Sequence, residues 1–203
     1  MRIEAKNISF RYNKGPWILK NVSLSVEVGE RVGLIGPSGY GKSTLSKILA
    51  GYEIPIEGEV LFDGKPLPSR GYCPVQLIYQ HPEKAVNPRW KMRDILYEAW
   101  KPDDEFLKEI GIEKEWLNRW PSELSGGELQ RFCVARALGP KTKFLIADEM
   151  STMLDVITQA QIWDLMLRIV KKNNLGMIVV THNEELAKRV CTRIVDLRDI
   201  NNI

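Results

Sequence analysis

The sequence predicts an α/β fold that consists of a parallel sheet, a small N-terminal antiparallel β-subdomain and an inserted helical subdomain. Residues 31–35, 143–147 and 176–180 are short, mostly apolar runs, as expected for strands buried on both faces of a parallel sheet. Residues 22–28 instead alternate apolar and polar side chains, which is typical of a strand with one buried face. Residues 87–121 show no strand pattern, so we expect helices there.

The first third of the chain is predicted to place a helix directly after a buried strand. A glycine-rich stretch follows the strand at 31–35 and leads into a helix over residues 42–50, with Gly51 as its C-cap. Residues 60–62 form a further strand, which enters a tight turn at 63–64. The N-terminal region therefore mixes a small antiparallel sheet with the first parallel strand.

A long amphipathic helix is predicted between the strands at 143–147 and 176–180. Its apolar positions, at spacings of 4, 3, 4 and 3, are Val156, Ala160, Trp163, Leu167 and Val170. This spacing places the five side chains on one stripe, which we expect to face the sheet. Strands that alternate with such helices form a parallel sheet. We therefore expect one domain over residues 1–203, with the helical subdomain inserted at about 87–140.

Length and composition exclude several classes of protein. The 203 residues are 44% hydrophobic and 27% charged with a formal net charge of +3, which argues against a multi-domain machine, a disordered chain and a nucleic-acid-coating protein. No apolar run approaches the roughly 18 residues of a membrane helix, so the chain is not expected to form a channel. Residues 1–6 lack the apolar segment of a secretion signal, and the three cysteines are widely spaced. We therefore expect a cytoplasmic protein with reduced cysteines.

The strongest local motif is a phosphate-binding loop between the strand at 31–35 and the helix that follows. Its sequence, Gly-Pro-Ser-Gly-Tyr-Gly-Lys-Ser, fits the pattern G-x-x-x-x-G-K-[ST], although a glycine-rich turn without a ligand is the alternative. The glycines let backbone N–H groups surround a phosphate, Lys42 reaches the β- and γ-phosphates, and Ser43 binds Mg²⁺. The predicted nucleotide-binding residues are Gly36, Pro37, Ser38, Gly39, Tyr40, Gly41, Lys42, Ser43 and Thr44.

Two carboxylates, Asp148 and Glu149, follow the apolar strand at 143–147. Because the pleat of a strand points successive side chains in different directions, the two have different predicted roles. Asp148 approaches the Mg²⁺ that Ser43 holds, and Glu149 polarises the water that attacks the γ-phosphate. Taken alone, this pair has a solvated strand end as its alternative.

A second helix start with anion-binding character lies at residues 125–128. Ser125 and Glu128 have the spacing of a capping box, which by itself accounts for both. Capping does not account for Gly126 and Gly127, since two glycines in a first turn cost stability unless the backbone approaches something closely. The sequence therefore predicts two phosphate-binding helix starts in one chain.

The phosphate loop, residues 125–128 and the pair Asp148–Glu149 follow one another in this order along the chain. With these motifs in this order, the sequence resembles the nucleotide-binding ATPase subunit of ATP-binding-cassette (ABC) transporters over nearly its whole length. The resemblance implies a P-loop NTPase core that binds ATP and Mg²⁺ and hydrolyses ATP. It also implies a head-to-tail dimer, in which each ATP lies between the phosphate loop of one subunit and the signature residues 125–128 of the other. Ser125 and Gly127 then act in trans.

Further residues match functional positions of the family. Tyr12 resembles the aromatic residue that stacks on adenine, and Gln80 resembles the Q-loop glutamine that contacts Mg²⁺ and water and senses the membrane partner. His182 resembles the switch histidine that contacts the γ-phosphate, and residues 151–155 resemble the D-loop that crosses the dimer interface. An ordinary strand tyrosine and a structural histidine are the alternatives. The resemblance implies catalytic roles for Lys42, Gln80, Glu149 and His182, and metal contacts for Ser43, Gln80 and Asp148.

Within the family, four short segments look most like the dipeptide, oligopeptide and nickel importers, namely residues 80–82, 87–89, 154–156 and 159–161. Two positions depart from the family's pattern, with Met150 in place of proline and Asn183 in place of aspartate. Neither removes a catalytic group, although Met150 removes a φ constraint beside Glu149. We therefore expect an ATPase that powers import of a small solute such as peptide or nickel.

The implied partners are a second ABC ATPase subunit, in a homodimer or a heterodimer, transmembrane permease subunits and an extracytoplasmic solute-binding protein, and no nucleic acid is expected. The implied location is peripheral, on the inner face of the cell membrane. The alternatives are a non-transport ABC ATPase associated with nucleic acid or ribosomes, an ABC exporter subunit, and a regulatory module that binds nucleotide without hydrolysis. Four tryptophans of the helical subdomain are assigned either to docking of a permease helix or to the core: Trp90, Trp100, Trp116 and Trp120.

Overall fold

A computed structural model describes all 203 residues and contains two sheets. The strands of the first sheet are β1 (Arg2–Phe10), β2 (Leu19–Glu27), β4 (Glu57–Phe62) and β5 (Lys65–Pro66). They pair antiparallel in the order β2-β1-β4-β5. In β2, buried and exposed side chains alternate from residue 22 onward, as its sequence pattern predicts. Asp63 and Gly64 both take positive φ, which produces the expected tight turn between β4 and β5.

The second sheet is parallel and has five strands, β3 (Arg31–Ile35), β6 (Val75–Ile78), β7 (Phe144–Asp148), β8 (Gly176–Val180) and β9 (Arg193–Asp196). Their order is β6-β7-β8-β3-β9. Every residue of β7 and β8 is buried, which confirms the prediction from their apolar runs. Because the strands are parallel, their carboxyl ends meet at one edge of the sheet, where the loops that follow β3, β6, β7 and β8 converge.

Seven α-helices accompany the strands, α1 (Lys42–Leu49), α2 (Met92–Tyr97), α3 (Asp104–Ile110), α4 (Gly126–Ala137), α5 (Val156–Lys172), α6 (Glu184–Val190) and α7 (Leu197–Ile200). The C-cap of α1 is Ala50, one residue earlier than predicted, and Gly51 follows it with φ 77°. Between β6 and β7 the chain forms only helices and short 3₁₀ turns. None of the helices combines the length and the apolar character that crossing a membrane requires.

The parallel sheet separates two apolar cores. Phe144 and Ile146 of β7 pack in the core that includes α1 and the antiparallel sheet, whereas Leu145 and Ala147 pack in the core that includes α2, α3, α4 and α5. Since both faces of the strand are buried, a shift of one residue in register would move every one of these side chains to the wrong core. The carboxyl ends of the central strands are therefore held in fixed positions.

The predicted apolar stripe on α5 is wrong in its first half. Trp163 and Val170 are buried as expected, but Ala160 is exposed and Val156 is 80% exposed. The other buried positions of the helix are Ile162, Leu165, Met166 and Ile169. The helix thus carries two adjacent apolar stripes with the same helical spacing, and periodicity alone does not distinguish the one that packs.

The tryptophans of residues 87–121 divide between the interior and the surface. Trp100 is partly buried and donates its ring N–H to the carbonyl oxygen of Ala135 at 3.0 Å. Trp116 packs against the core that includes α2, α3, α4 and α5, referred to below as the core beneath the helices. Trp90 and Trp120 are 42% and 39% exposed, which leaves these two rings at the surface.

Candidate active site

The phosphate loop depends on glycine at its start and at its end. Gly36 has φ 143° and Gly41 has φ 100°, and both values are unfavourable for residues with a Cβ. A Cβ at Gly41 would also lie 2.9 Å from the carbonyl oxygen of Ile18, so the loop packs against the segment before β2. At Gly39, by contrast, no atom lies within 4 Å of a Cβ position, so this side of the loop is open.

Lys42, the first residue of α1, is 5% exposed and lies inside the loop. Its Nζ donates hydrogen bonds to the carbonyl oxygens of Gly36 at 2.8 Å and Pro37 at 2.9 Å. These bonds hold the ammonium group at the start of the helix, where the backbone N–H groups and the positive end of the helix dipole also favour an anion. The loop therefore provides a concentrated positive site that fits a phosphate group.

Ser43 and Asp148 meet at the carboxyl end of β7. The hydroxyl of Ser43 donates to Oδ1 of Asp148 at 3.1 Å. Burial raises the pKa of Asp148, the neighbouring Glu149 raises it further, and the Ser43 hydrogen bond and Lys42 oppose this shift. A hydroxyl and a carboxylate are the oxygen ligands that Mg²⁺ prefers, and the ion takes its other ligands from phosphate and water. The pair therefore fits a Mg²⁺ that is bound together with a nucleotide.

Glu149 is the centre of a small polar group formed by three loops. Its carboxylate accepts a hydrogen bond from Nε2 of Gln80 at 3.3 Å and lies 3.3 Å from Nδ1 of His182. Its backbone has φ 47°, which is uncommon for a residue other than glycine, and its N–H donates to the carbonyl of Val180 at 3.0 Å. The structure thus brings together the three residues that follow β6, β7 and β8.

A cavity of about 300 Å³ lies beside this group and is lined in part by Glu149, Thr152 and His182. The hydroxyl of Ser151, which is buried, accepts hydrogen bonds from Gln159 Nε2 and Trp163 Nε1, both at 2.9 Å. Sequence reasoning missed these contacts. The available signal was the spacing of Gln159 and Trp163, which places them one turn apart on the same side of a helix.

Residues 125–128 form the start of α4 and lie in a different place. Ser125 and Glu128 form a complete capping box: the Ser125 hydroxyl accepts the N–H of Glu128 at 3.3 Å, and the Glu128 carboxylate accepts the N–H of Ser125 at 2.6 Å. Gly126 and Gly127 line a separate cavity of about 320 Å³, together with D-loop residues such as Asp155. This cavity contains no residue of the phosphate loop at 36–44 and neither of the carboxylates Asp148 and Glu149. The start of α4 therefore lines a cavity of its own.

Tyr12 lies in the loop between β1 and β2. Its ring is 44% exposed and contacts Phe10 edge-to-face, with 4.9 Å between the ring centroids. The other end of this loop is Ile18, which packs against Gly41 of the phosphate loop. The structure therefore places Tyr12 in the segment that flanks the phosphate loop.

The two departures from the family pattern have structural roles. Met150 is 1% exposed and packs in the core beneath the helices. Asn183 is the N-cap of α6, where its side chain accepts the N–H of Leu186 at 3.0 Å. Asparagine and aspartate are similarly good N-caps, so Asn183 serves that purpose as well as the usual aspartate.

Comparison with known proteins agrees with this arrangement. The family described as "ABC transporter" matches residues 19–152, which is more than half of the chain. The chain belongs to the ABC transporter ATPase family. It therefore binds and hydrolyses ATP, which is the activity of this family.

Two curated relatives and one solved structure give further detail. The chain is 35% identical to the nickel import ATP-binding protein NikE of Escherichia coli (strain K12), over 88% of this chain and 74% of the relative. It is 36% identical to the dipeptide transport ATP-binding protein DppF of Lactococcus lactis subsp. cremoris (strain MG1363), over 95% of this chain and 70% of the relative. The dimeric, post-hydrolysis structure of the ATP-binding cassette MJ0796 bound to ADP and Pi has a TM-score of 0.80 and 28% identity, covering 96% of this chain and 93% of that one.

Proposed function

We propose that this chain is the ATPase subunit of an importer for nickel or a small peptide, and that it forms a single ABC ATPase domain with the helical subdomain inserted at about 87–140. The observation that supports the mechanism is that the signature residues line a cavity that contains no residue of the phosphate loop of the same chain. A γ-phosphate held at Lys42 needs the signature residues of another subunit beside it. A head-to-tail dimer supplies them, and the solved cassette that this chain is similar to is dimeric.

On the nucleotide side, the proposed assignments follow from the contacts around the phosphate loop. Lys42 and the N–H groups of residues 36–44 hold the phosphates, and Tyr12 stacks on the adenine. Ser43, Asp148 and Gln80 would hold Mg²⁺, which when bound would neutralise charge on the phosphate oxygens. The 3.1 Å contact between Ser43 and Asp148 supports this assignment.

Glu149 is proposed to orient and polarise the attacking water. Gln80 and His182, each 3.3 Å from its carboxylate, fix the direction in which that carboxylate points. Positioning of this kind is most of what catalysis of phosphoryl transfer requires, because the transition state needs alignment and charge stabilisation. Residues Ser125, Gly126, Gly127 and Glu128 are proposed to complete the site from the second subunit.

A permease is proposed to dock in the groove between the parallel sheet and the helices that follow β6. This groove has a volume of about 430 Å³ and is lined in part by Tyr79, Trp90 and Arg136. Tyr79 precedes Gln80 in the chain, so a segment seated in the groove would lie next to a residue that contacts Glu149. Docking there would couple opening and closing of the dimer to the permease and hold the chain at the cytoplasmic face of the membrane.

Purification of the native complex tests the proposed function most directly. We expect the chain to co-purify with permease subunits and a second ATPase subunit. After reconstitution with the solute-binding protein encoded for the same system, ATPase activity should rise on addition of Ni²⁺ or of a dipeptide. Stimulation by neither, or co-purification with nucleic acid or ribosomes instead of a permease, would contradict the importer assignment.

A further inference from the structure

Asn201, far from the phosphate loop in sequence, is 4% exposed and connects the end of the chain to the start of β2. Its Nδ2 donates to the carbonyl oxygen of Ile18 at 3.0 Å, and its Oδ1 accepts the N–H of Lys20 at 2.8 Å. The backbone N–H of Asn202 adds a third bond, to the carbonyl of Lys20 at 3.0 Å. The side chain therefore pairs with the backbone on both sides of Leu19.

The segment that Asn201 holds lies directly behind the phosphate loop. The carbonyl oxygen of Ile18 would be 2.9 Å from a Cβ at Gly41, the residue that immediately precedes Lys42. At the other end of the loop, Leu197 at the start of α7 packs against Gly36, with its Cβ 3.6 Å from the Cβ position of that glycine. The segment from β9 through Asn201 thus supports both ends of the phosphate loop.

We propose that Asn201 is a positioning residue for nucleotide binding. By fixing the Ile18 carbonyl, it sets the wall against which Gly41 packs and anchors one end of the loop that carries Tyr12. Loss of this anchor lets the backbone at Ile18 shift, and the phosphate loop and the β1–β2 loop then lose their relative position. The effect is mainly on the affinity for nucleotide, because Gln80, Glu149 and His182, which are proposed to position the attacking water, are held separately at the ends of β6, β7 and β8.

Only a side chain with a donor and an acceptor at its tip fits both contacts. Aspartate has the shape of asparagine and still accepts the Lys20 N–H, but it presents an oxygen, without a proton, to the Ile18 carbonyl. Asn201→Asp therefore replaces one attraction with a repulsion at almost constant volume. Asn202, whose side chain is exposed, offers a matched control, since Asn202→Asp adds the same negative charge one residue further along.

The test is the dissociation constant of Mg-ADP, measured by calorimetry on the full chain, because ADP binding requires neither the second subunit nor hydrolysis. We expect Asn201→Asp to weaken ADP binding about tenfold, which corresponds to ~1.4 kcal/mol, and Asn202→Asp to leave it unchanged. In steady-state ATPase assays Asn201→Asp should raise the KM for ATP with kcat nearly constant. Without nucleotide, hydrogen exchange at the Ile18 amide, which donates to the carbonyl oxygen of Phe10 at 2.9 Å, should be faster in Asn201→Asp than in the wild type.

Equal losses of ADP affinity in Asn201→Asp and Asn202→Asp would overturn the proposal, because they would point to long-range charge. A loss of kcat or of stability with unchanged ADP affinity would overturn it as well. If Asn201→Asp does not fold, Asn201→Ser, whose single hydroxyl replaces at most one of the two hydrogen bonds, should also weaken ADP binding; wild-type affinity in that variant would contradict the proposal. The proposal rests on the proposed phosphate loop, which Lys42→Ala tests separately by abolishing ADP binding.

Discussion

The two anion-binding helix starts of this chain are built in opposite ways. At α1, the charged group is held by the loop itself, because Lys42 donates to the carbonyls of Gly36 and Pro37. At α4, the polar groups satisfy one another, since Ser125 and Glu128 form a closed capping box. The first start brings a cation and, in Ser43 and Asp148, a pair of oxygen ligands that fits Mg²⁺. The second brings backbone N–H groups and a hydroxyl beside the Glu128 carboxylate, and the Arg131 guanidinium that lines the same cavity donates to Ile110 and Gln161.

This difference supports the proposal that the α1 start binds nucleotide and that the α4 start completes the site of another subunit. A phosphate at α1 meets a lysine, a helix end and the metal ligands at one edge of the sheet. A phosphate at α4 meets a helix end that already carries the negative charge of Glu128 in its first turn. The signature end therefore contributes to binding only when another subunit supplies the charges, as expected for one half of a composite site.

The largest effect is expected from Glu149→Gln, which removes the proposed base at the α1 side. The amide keeps the size of the side chain, so ATP still binds and the closed dimer accumulates. Hydrolysis should fall about 100-fold or more, which is typical of the loss of a general base. Phosphate release and size-exclusion chromatography with ATP measure the two effects, and near-normal turnover would show that Glu149 is not the base.

Mixing two inactive variants tests whether the α1 start of one subunit and the α4 start of the other form one site in a dimer of this chain. Lys42→Ala disables the α1 start, and Ser125→Asp keeps a good N-cap while placing a carboxylate where the phosphate is expected. In an equal mixture, heterodimers contain one intact composite site, so about one quarter of the wild-type sites should return. Each variant mixed with itself is the control. A mixture as inactive as its components would show that both starts serve the same subunit.

The contrast between the two starts also marks what the sequence could predict. The phosphate loop was predictable because its contacts are local: residues 36–43 and the strand before them are adjacent in the chain. The different roles proposed for Asp148 and Glu149 follow from the pleat of one strand. Their contacts to Ser43 and Gln80 follow in turn from the rule that parallel strands end at a common edge.

Contacts between distant segments could not be predicted in this way. Asn201 and Ile18 are separated by most of the chain, and no local pattern indicates that they meet. The prediction for the first half of α5 was wrong for a different reason: Val156 and Ala160 fit an apolar helical stripe, but this part of the stripe does not pack against the core. Which side of a helix is buried depends on the elements that pack against it, and the spacing of apolar residues within the helix carries no information about those elements.

Asp148→Asn is expected to separate function from stability at the α1 side. Because burial raises the pKa of Asp148, its charged form is disfavoured in the folded chain. A neutral side chain of the same shape should raise the thermal midpoint at neutral pH in the absence of nucleotide and Mg²⁺, while hydrolysis is lost. Differential scanning fluorimetry with and without Mg-ATP measures this. A lower midpoint without ligands would mean that the attraction of the carboxylate charge to Lys42 and to the Ser43 hydroxyl outweighs the cost of burial.

The two glycines at the start of α4 allow a test of why residues without a side chain stand at these positions. A Cβ at Gly126 would make an ordinary contact, 3.7 Å from Leu154 Cδ2, so Gly126→Ala should change the free energy of unfolding by less than about 0.5 kcal/mol or stabilise the chain.

A Cβ at Gly127 would lie 2.7 Å from Thr158 Cγ2. That methyl group cannot turn away cheaply, since the Thr158 hydroxyl donates to Asp155 at 2.6 Å. Gly127→Ala should therefore cost about 1–3 kcal/mol. Adding Thr158→Ser, which keeps the hydroxyl and removes the methyl, should recover most of that loss in urea unfolding. If the double variant is as unstable as Gly127→Ala alone, the contact with α5 is not the reason for glycine at this position, and the approach of a second subunit becomes the better explanation.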